Sequence, residues 1–80
     1  MRNNEFGGLL RTARLGRQLG VRQFSKMIFV SPSMVAHLEF GRSKPPARLV
    51  SLICTALKLN RDQRKMWMLI AARAHGFEVY

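Results

Sequence analysis

The 80 residues carry 14 Lys and Arg against four Asp and Glu, a net charge of +10, with 48% hydrophobic residues and one cysteine. That length fits a single small domain (residues 1–80) with one core and leaves no room for a separate catalytic or sensing domain. The apolar content excludes a disordered basic tail, and a lone cysteine excludes an internal disulfide and suits a reducing cytoplasm.

In chain order, the first segment places Phe6, Leu9, Leu10 and Ala13 at helical spacing, with Asn4 as N-cap and Glu5 in the first turn. It fades near Leu19-Gly20. A short second helix covers Val21 to Ile28, with Phe24, Met27 and Ile28 facing inward. Ser31-Pro32 then reads as an N-cap followed by proline at the first helical position, where a missing N–H costs nothing. The third helix runs to Glu39 or Phe40 and stops at Gly41. Arg42-Ser43-Lys44-Pro45-Pro46 is a loop, because two prolines cannot lie inside a helix but can open one. The fourth helix, from about Ala47 to Leu57, buries Leu49, Leu52, Ile53, Ala56 and Leu57. Asn60 caps a fifth, about residues 61–75, with Gln63 completing a capping box and Gly76 following its end. The tail, Phe77-Glu78-Val79-Tyr80, alternates apolar and polar and fits either a frayed end or a short strand paired with a partner chain.

The start of the chain has no apolar leader, and the longest apolar run, Met66 to Ala72, falls far short of the roughly 20 residues that span a membrane. A cytoplasmic protein is expected. Its charge implies a polyanionic partner, nucleic acid or an anionic lipid surface. Catalysis has no support: there is no metal-ligand spacing, phosphate-cradling glycine loop or nucleophile motif, and Cys54 lies on an apolar helix face. No cofactor and no metal are expected.

A short helix, a brief turn and a capped second helix, about residues 21–40, form the outline of a helix-turn-helix inside an all-α domain. Residues 31–45, Ser-Pro-Ser-Met-Val-Ala-His-Leu-Glu-Phe-Gly-Arg-Ser-Lys-Pro, resemble the recognition helix and following loop of the phage repressor/Cro (xenobiotic-response-element) family. The shared features are a Ser/Thr cap at Ser31, a β-branched core residue at Val35, then Leu38-Glu39, Gly41-Arg42 and Pro45. Arg14 and Glu39 resemble the first-helix Arg and recognition-helix Glu that form an internal ion pair in that family. The resemblance covers about residues 6–59 and implies a five-helix, lambda-repressor-like DNA-binding fold and a small transcriptional regulator. Departures are Val21, where a phosphate-touching Gln is usual, and Phe29, where the turn often holds Gly. A left-handed backbone at Phe29 costs about 1–2 kcal/mol, which points to a turn of different construction.

At 100° per residue, Ser33, Met34 and His37 share one quadrant of the third helix, opposite Val35, Leu38 and Glu39. The first set is expected to contact bases in a major groove. No Arg, Gln or Asn is present there for bidentate readout, so DNA shape carries part of the specificity. Arg22 and Arg48 sit in the first turns of helices, where a cation opposes the helix dipole; a phosphate between side chain and helix end resolves that conflict. With Ser31 and the loop residues Arg42, Ser43 and Lys44, they form the expected phosphate-contacting set.

Residues 66–72 of the fifth helix are apolar on every side, so one side is expected on the core and another, through Met66, Trp67 and Ile70, on a second copy. A two-fold homodimer would set two recognition helices about 34 Å apart on a near-palindromic operator of double-stranded DNA. The alternative is an antitoxin that binds operator DNA and also holds a toxin protein through the C-terminal helix.

Overall fold

Residues 5–75, which the computed structural model describes, form five helices and no strand: α1 (Glu5–Gly16), α2 (Val21–Met27), α3 (Pro32–Glu39), α4 (Ala47–Ala56) and α5 (Arg61–Ala74). The expected cap at Asn4, the residue after the last helix (Gly76) and the 77–80 tail lie outside the described residues.

Local chemistry sets several of these boundaries. The Ser31 hydroxyl accepts from the Met34 amide at 3.2 Å, with Pro32 opening α3. At α5 the capping box is complete: Asn60 Oδ1 accepts from the Gln63 amide at 2.8 Å, and Gln63 Oε1 accepts from the Asn60 amide at 2.9 Å. Each satisfies a helix-start N–H that would otherwise have no partner.

The first four helices end alike. Gln18, Phe29, Gly41 and Lys58 adopt φ of 58°, 61°, 74° and 55°. In each case the next amide bonds back to the last turn: Leu19 to the Arg14 carbonyl, Val30 to Ser25, Arg42 to His37 and Leu59 to Cys54. This is the Schellman closure, and glycine is its usual left-handed residue. Here only Gly41 is glycine. Leu19, Val30 and Leu59 return to pack against the core, and that apolar return holds the preceding residue left-handed. Phe29 therefore adopts the strained conformation that its side chain argued against, and the turn keeps the ordinary construction. Its ring is 81% exposed, so little packing offsets the strain. Phe29→Gly is expected to stabilise the domain by about 1 kcal/mol. Thermal unfolding followed by circular dichroism checks this; an unchanged or lower midpoint would show that Phe29 is not strained.

The core lies between all five helices and centres on Leu10, Phe24, Ile28, Val35, Leu38, Val50, Ile53 and Leu57, none more than 1% exposed. Each such side chain contributes roughly 1.5–3 kcal/mol of transfer free energy. The small buried Ser25 on α2 satisfies its hydroxyl by donating to the Arg22 carbonyl at 2.7 Å, and α2 packs closely on α3. α1 packs on α3 and α5, and Phe6 meets Trp67 edge-to-face with centroids 5.8 Å apart. Two rotations differ from expectation. Met27, expected inward, is 40% exposed, because Phe24 and Ile28 fill the site beneath α2. On α4, Val50 and Cys54 are buried while Leu52 and Ala56 are only half-buried, so the inner face is turned from the expected one.

α5 runs back along α4. Near its start Arg64 donates to Thr55 Oγ1 at 2.8 Å, and beyond its end His75 Nε2 donates to the Pro45 carbonyl at 2.6 Å. The second bond ties the end of α5 to the loop that precedes α4.

Candidate nucleic-acid interface

Glu39 decides which way α3 faces. It is 7% exposed, and its carboxylate receives Arg14 Nε at 2.6 Å and Nη2 at 3.1 Å in a two-pronged pair. Arg14 Nη1 donates to the Leu19 carbonyl at 2.7 Å. One guanidinium thus joins α1, the turn after it and α3. Its hydrogen bonds to Glu39, against the cost of burial and aided by Coulombic attraction, hold Arg14 above its ordinary pKa. The single acid on α3 is turned inward and neutralised, so the outer surface of that helix carries no negative charge.

With Val35, Leu38 and Glu39 inward, the face of α3 opposite them holds Ser33 and His37, both exposed. Met34 sits off to the side, half-buried and packed against the core. It lines a cleft of about 520 Å³ with Phe29, Val30, Pro46, Arg48 and Leu49. Two neighbours on the outer face were missed from the sequence: Ala36, half-buried, and Phe40, 61% exposed. The signal was available, since Phe40 lies on the same helical arc as Ser33 and His37, but Phe40 had been read only as a helix end.

Arg42 and Lys44 follow α3 in the chain, and Arg48 lines the same cleft as Met34. Gly41 turns the chain out of α3, and the Arg42 and Ser43 amides both donate to the His37 carbonyl, at 2.8 and 3.3 Å. Arg42 and Lys44 are exposed and Ser43 is half-buried. α4 starts after Pro46 with no side-chain cap and no acid in its first turn, where Arg48 is exposed. Its first amides have no side-chain cap and lie in the same turn as a cation, an arrangement suited to an anion. Arg22 is likewise exposed in the first turn of α2, after Gly20, which supplies no side-chain cap. The contrast is with α3 and α5, both capped by side chains, and α5 has Asp62 in its first turn. Ser31 spends its oxygen on the Met34 amide, which leaves its hydroxyl hydrogen to donate outward. His75 had drawn no role from the sequence; through Pro45 it steadies the loop carrying Arg42 to Lys44.

The expected second-copy contacts need correction. Trp67 is 5% exposed and Ile70 9%, both consumed by the chain's own core, Trp67 against Phe6. Of these three, only Met66, 60% exposed, remains available to a partner. The apolar run had hidden which side of α5 faces inward.

Burial pushes the Cys54 thiol up despite an opposing effect from Arg64. No group of three or more His, Cys, Asp or Glu able to hold a metal occurs among the described residues. None of their helices is long and apolar enough to cross a membrane.

Among known proteins, two relatives described as the transcriptional regulator ClgR, from two strains of Mycobacterium tuberculosis, are each 40% identical over 53 residues. The match covers 66% of this chain and 47% of each relative, so the chain spans about half the length of the curated relatives it matches. No solved structure gives a significant match. The helix-turn-helix domain family matches residues 5–67, from the start of α1 into α5. By that match, which takes in α1 to α4 and the first half of α5, the chain belongs to the helix-turn-helix domain family.

Proposed function

We propose that the chain binds double-stranded DNA in the cytoplasm as a small transcriptional regulator of the phage repressor/Cro type. Two copies occupy a near-palindromic operator. The observation that carries this reading is the sorting of charge around α3. Its one acid is buried against Arg14, while Arg42 and Lys44 stand exposed just after the helix and Arg48 stands exposed at the cleft that Met34 lines. A fold that needed no polyanion would gain nothing from leaving these cations together without counter-charges. The likeness to a relative named as a transcriptional regulator supports the same reading.

In the proposed complex α3 enters the major groove. Ser33 and His37 meet base edges, and Met34 reaches a thymine methyl from the side of the helix. Arg22, Ser31, Arg42, Ser43, Lys44 and Arg48 hold the flanking phosphates. Ala36 and Phe40 supply apolar surface on the same face.

Fluorescence-anisotropy titrations against a panel of duplexes test the assignment. His37→Ala is expected to lower the discrimination between the preferred duplex and its single-base variants by about 1–3 kcal/mol at one position, with little loss on unrelated DNA. Unchanged discrimination in this variant would remove His37 from the reading face.

A further inference from the structure

We infer that Pro32, Ala36 and Phe40 form an apolar ridge that reads thymine methyl groups, so that the half-site under α3 is rich in A·T pairs. The inference rests on the proposed docking of α3 in the major groove and names the class of sequence which that docking selects.

The three residues stand four apart in the chain and so lie one above another along α3. At 100° per residue they occupy an arc of about 80°, beside the stripe of Ser33 and His37. Phe40 keeps the helical register: its backbone lies at φ −90° and ψ 1°, and its amide donates to the Ala36 carbonyl at 2.9 Å. Pro32 is exposed, Ala36 half-buried and Phe40 61% exposed. At about 1.5 Å per residue the ridge runs about 12 Å, the length of three to four base-pair steps of about 3.4 Å each.

None of the three side chains carries a charge or a hydrogen-bonding group. Pro32 also lacks an amide N–H, so the start of α3 presents methylene groups where another residue would present a donor. A phosphate gains nothing from such a surface, and the cations suited to phosphate, Arg42 and Lys44, follow directly after it. In the major groove the C5-methyl of thymine is the apolar group that the four bases offer. Covering it with the ridge removes apolar area from water on both partners, and Phe40 has the most to cover. α3 contains no Arg, Gln or Asn for bidentate bonding, so methyl contact adds discrimination between A·T and G·C to whatever Ser33 and His37 bond.

Exchanging thymine for uracil tests the ridge, because it deletes the methyl group and keeps the base pair. Binding of the full chain to three alternating duplexes, A·T, A·U and G·C, is measured by fluorescence anisotropy at one salt concentration. Each buried methyl is worth about fourfold in affinity, so two of them make A·T tighter than A·U by about 15-fold. Phe40→Ser, at an exposed position, should cut that ratio about fourfold, and adding Ala36→Ser should bring the two affinities together. Circular dichroism verifies that each variant is folded. A variant that merely loosens the fold would weaken both duplexes equally, so an undiminished ratio in the folded variants would overturn the ridge. Equal affinity of the parent chain for A·T and A·U would overturn it without any variant; preference for both over G·C would then trace the choice to duplex shape. Absence of binding to all three duplexes would instead overturn the proposed function, and the ridge with it.

Discussion

Glu39→Ala is expected to destabilise the domain by about 3–5 kcal/mol, the range for removing one partner of a buried ion pair. The carboxylate and guanidinium are 6% and 7% exposed, so water cannot replace what either loses. Arg14 would keep its bond to the Leu19 carbonyl but remain a buried cation with two donors unsatisfied. In a domain of this size each kcal/mol shifts the midpoint of thermal unfolding by roughly 4–8 °C, so the variant should melt at least about 12 °C lower. Arg14→Met combined with Glu39→Met should recover most of the loss, since an apolar pair of similar volume leaves no uncompensated charge. Thermal and urea unfolding of the two variants checks both statements. A loss below about 1 kcal/mol for Glu39→Ala would place the pair in the class of exposed ion pairs and contradict its role in orienting α3.

The second large effect concerns the cations at the starts of α2 and α4. Replacing both Arg22 and Arg48 by alanine should weaken binding to every duplex by about 100-fold at low salt, taking each charge-assisted phosphate contact as roughly tenfold. The slope of log K against log[salt] should flatten by about 1.8, since each neutralised phosphate contributes about 0.9. Base preference should be retained. Stability should hold or rise slightly, because a cation in the first turn opposes the helix dipole. An altered base preference with an unchanged salt slope would mean that these arginines read sequence and that the reading face has been misplaced.

The contrast between these residues and the misread ones shows where sequence is informative. Ser31-Pro32 and the Asn60–Gln63 capping box were legible because each is completed within four residues by the chain's own backbone. Arg22 and Arg48 stand out in the sequence because they break a local electrostatic rule, and both are exposed in the first turns of their helices. The rotation of a helix about its axis is a different kind of fact. Trp67 is buried because Phe6, at the far end of the described chain, meets it edge-to-face, and no local pattern in an all-apolar run could say so. Met27 and Met34 illustrate the same point in smaller degree: both are apolar, and neighbours on other helices decide how much of each is covered.

Phe29 was misread for a further reason. Propensity argued against a left-handed phenylalanine, but Ile28 and Val30 on either side both pack inward, and their placement fixes the residue between them. The same sequence of a left-handed residue and an apolar return occurs at Gln18-Leu19 and Lys58-Leu59. Across these turns packing outweighs a local cost of about 1–2 kcal/mol each. For the candidate site, the cationic loop and the start of α4 were readable from sequence, whereas Phe40 on the outer face and the steadying bond from His75 needed the assembled helices.

In the proposed complex α3 reads sequence while the cations around it hold phosphate. Selection of bound sites from random duplex DNA at about 150 mM salt tests it most directly, because that salt suppresses contacts made by charge alone. An enriched two-fold motif is expected, with half-sites about 10 base pairs apart, one turn of the duplex. Recovery of no enriched motif, with binding lost at that salt, would contradict it and reduce the charge of this domain to nonspecific attraction for polyanions.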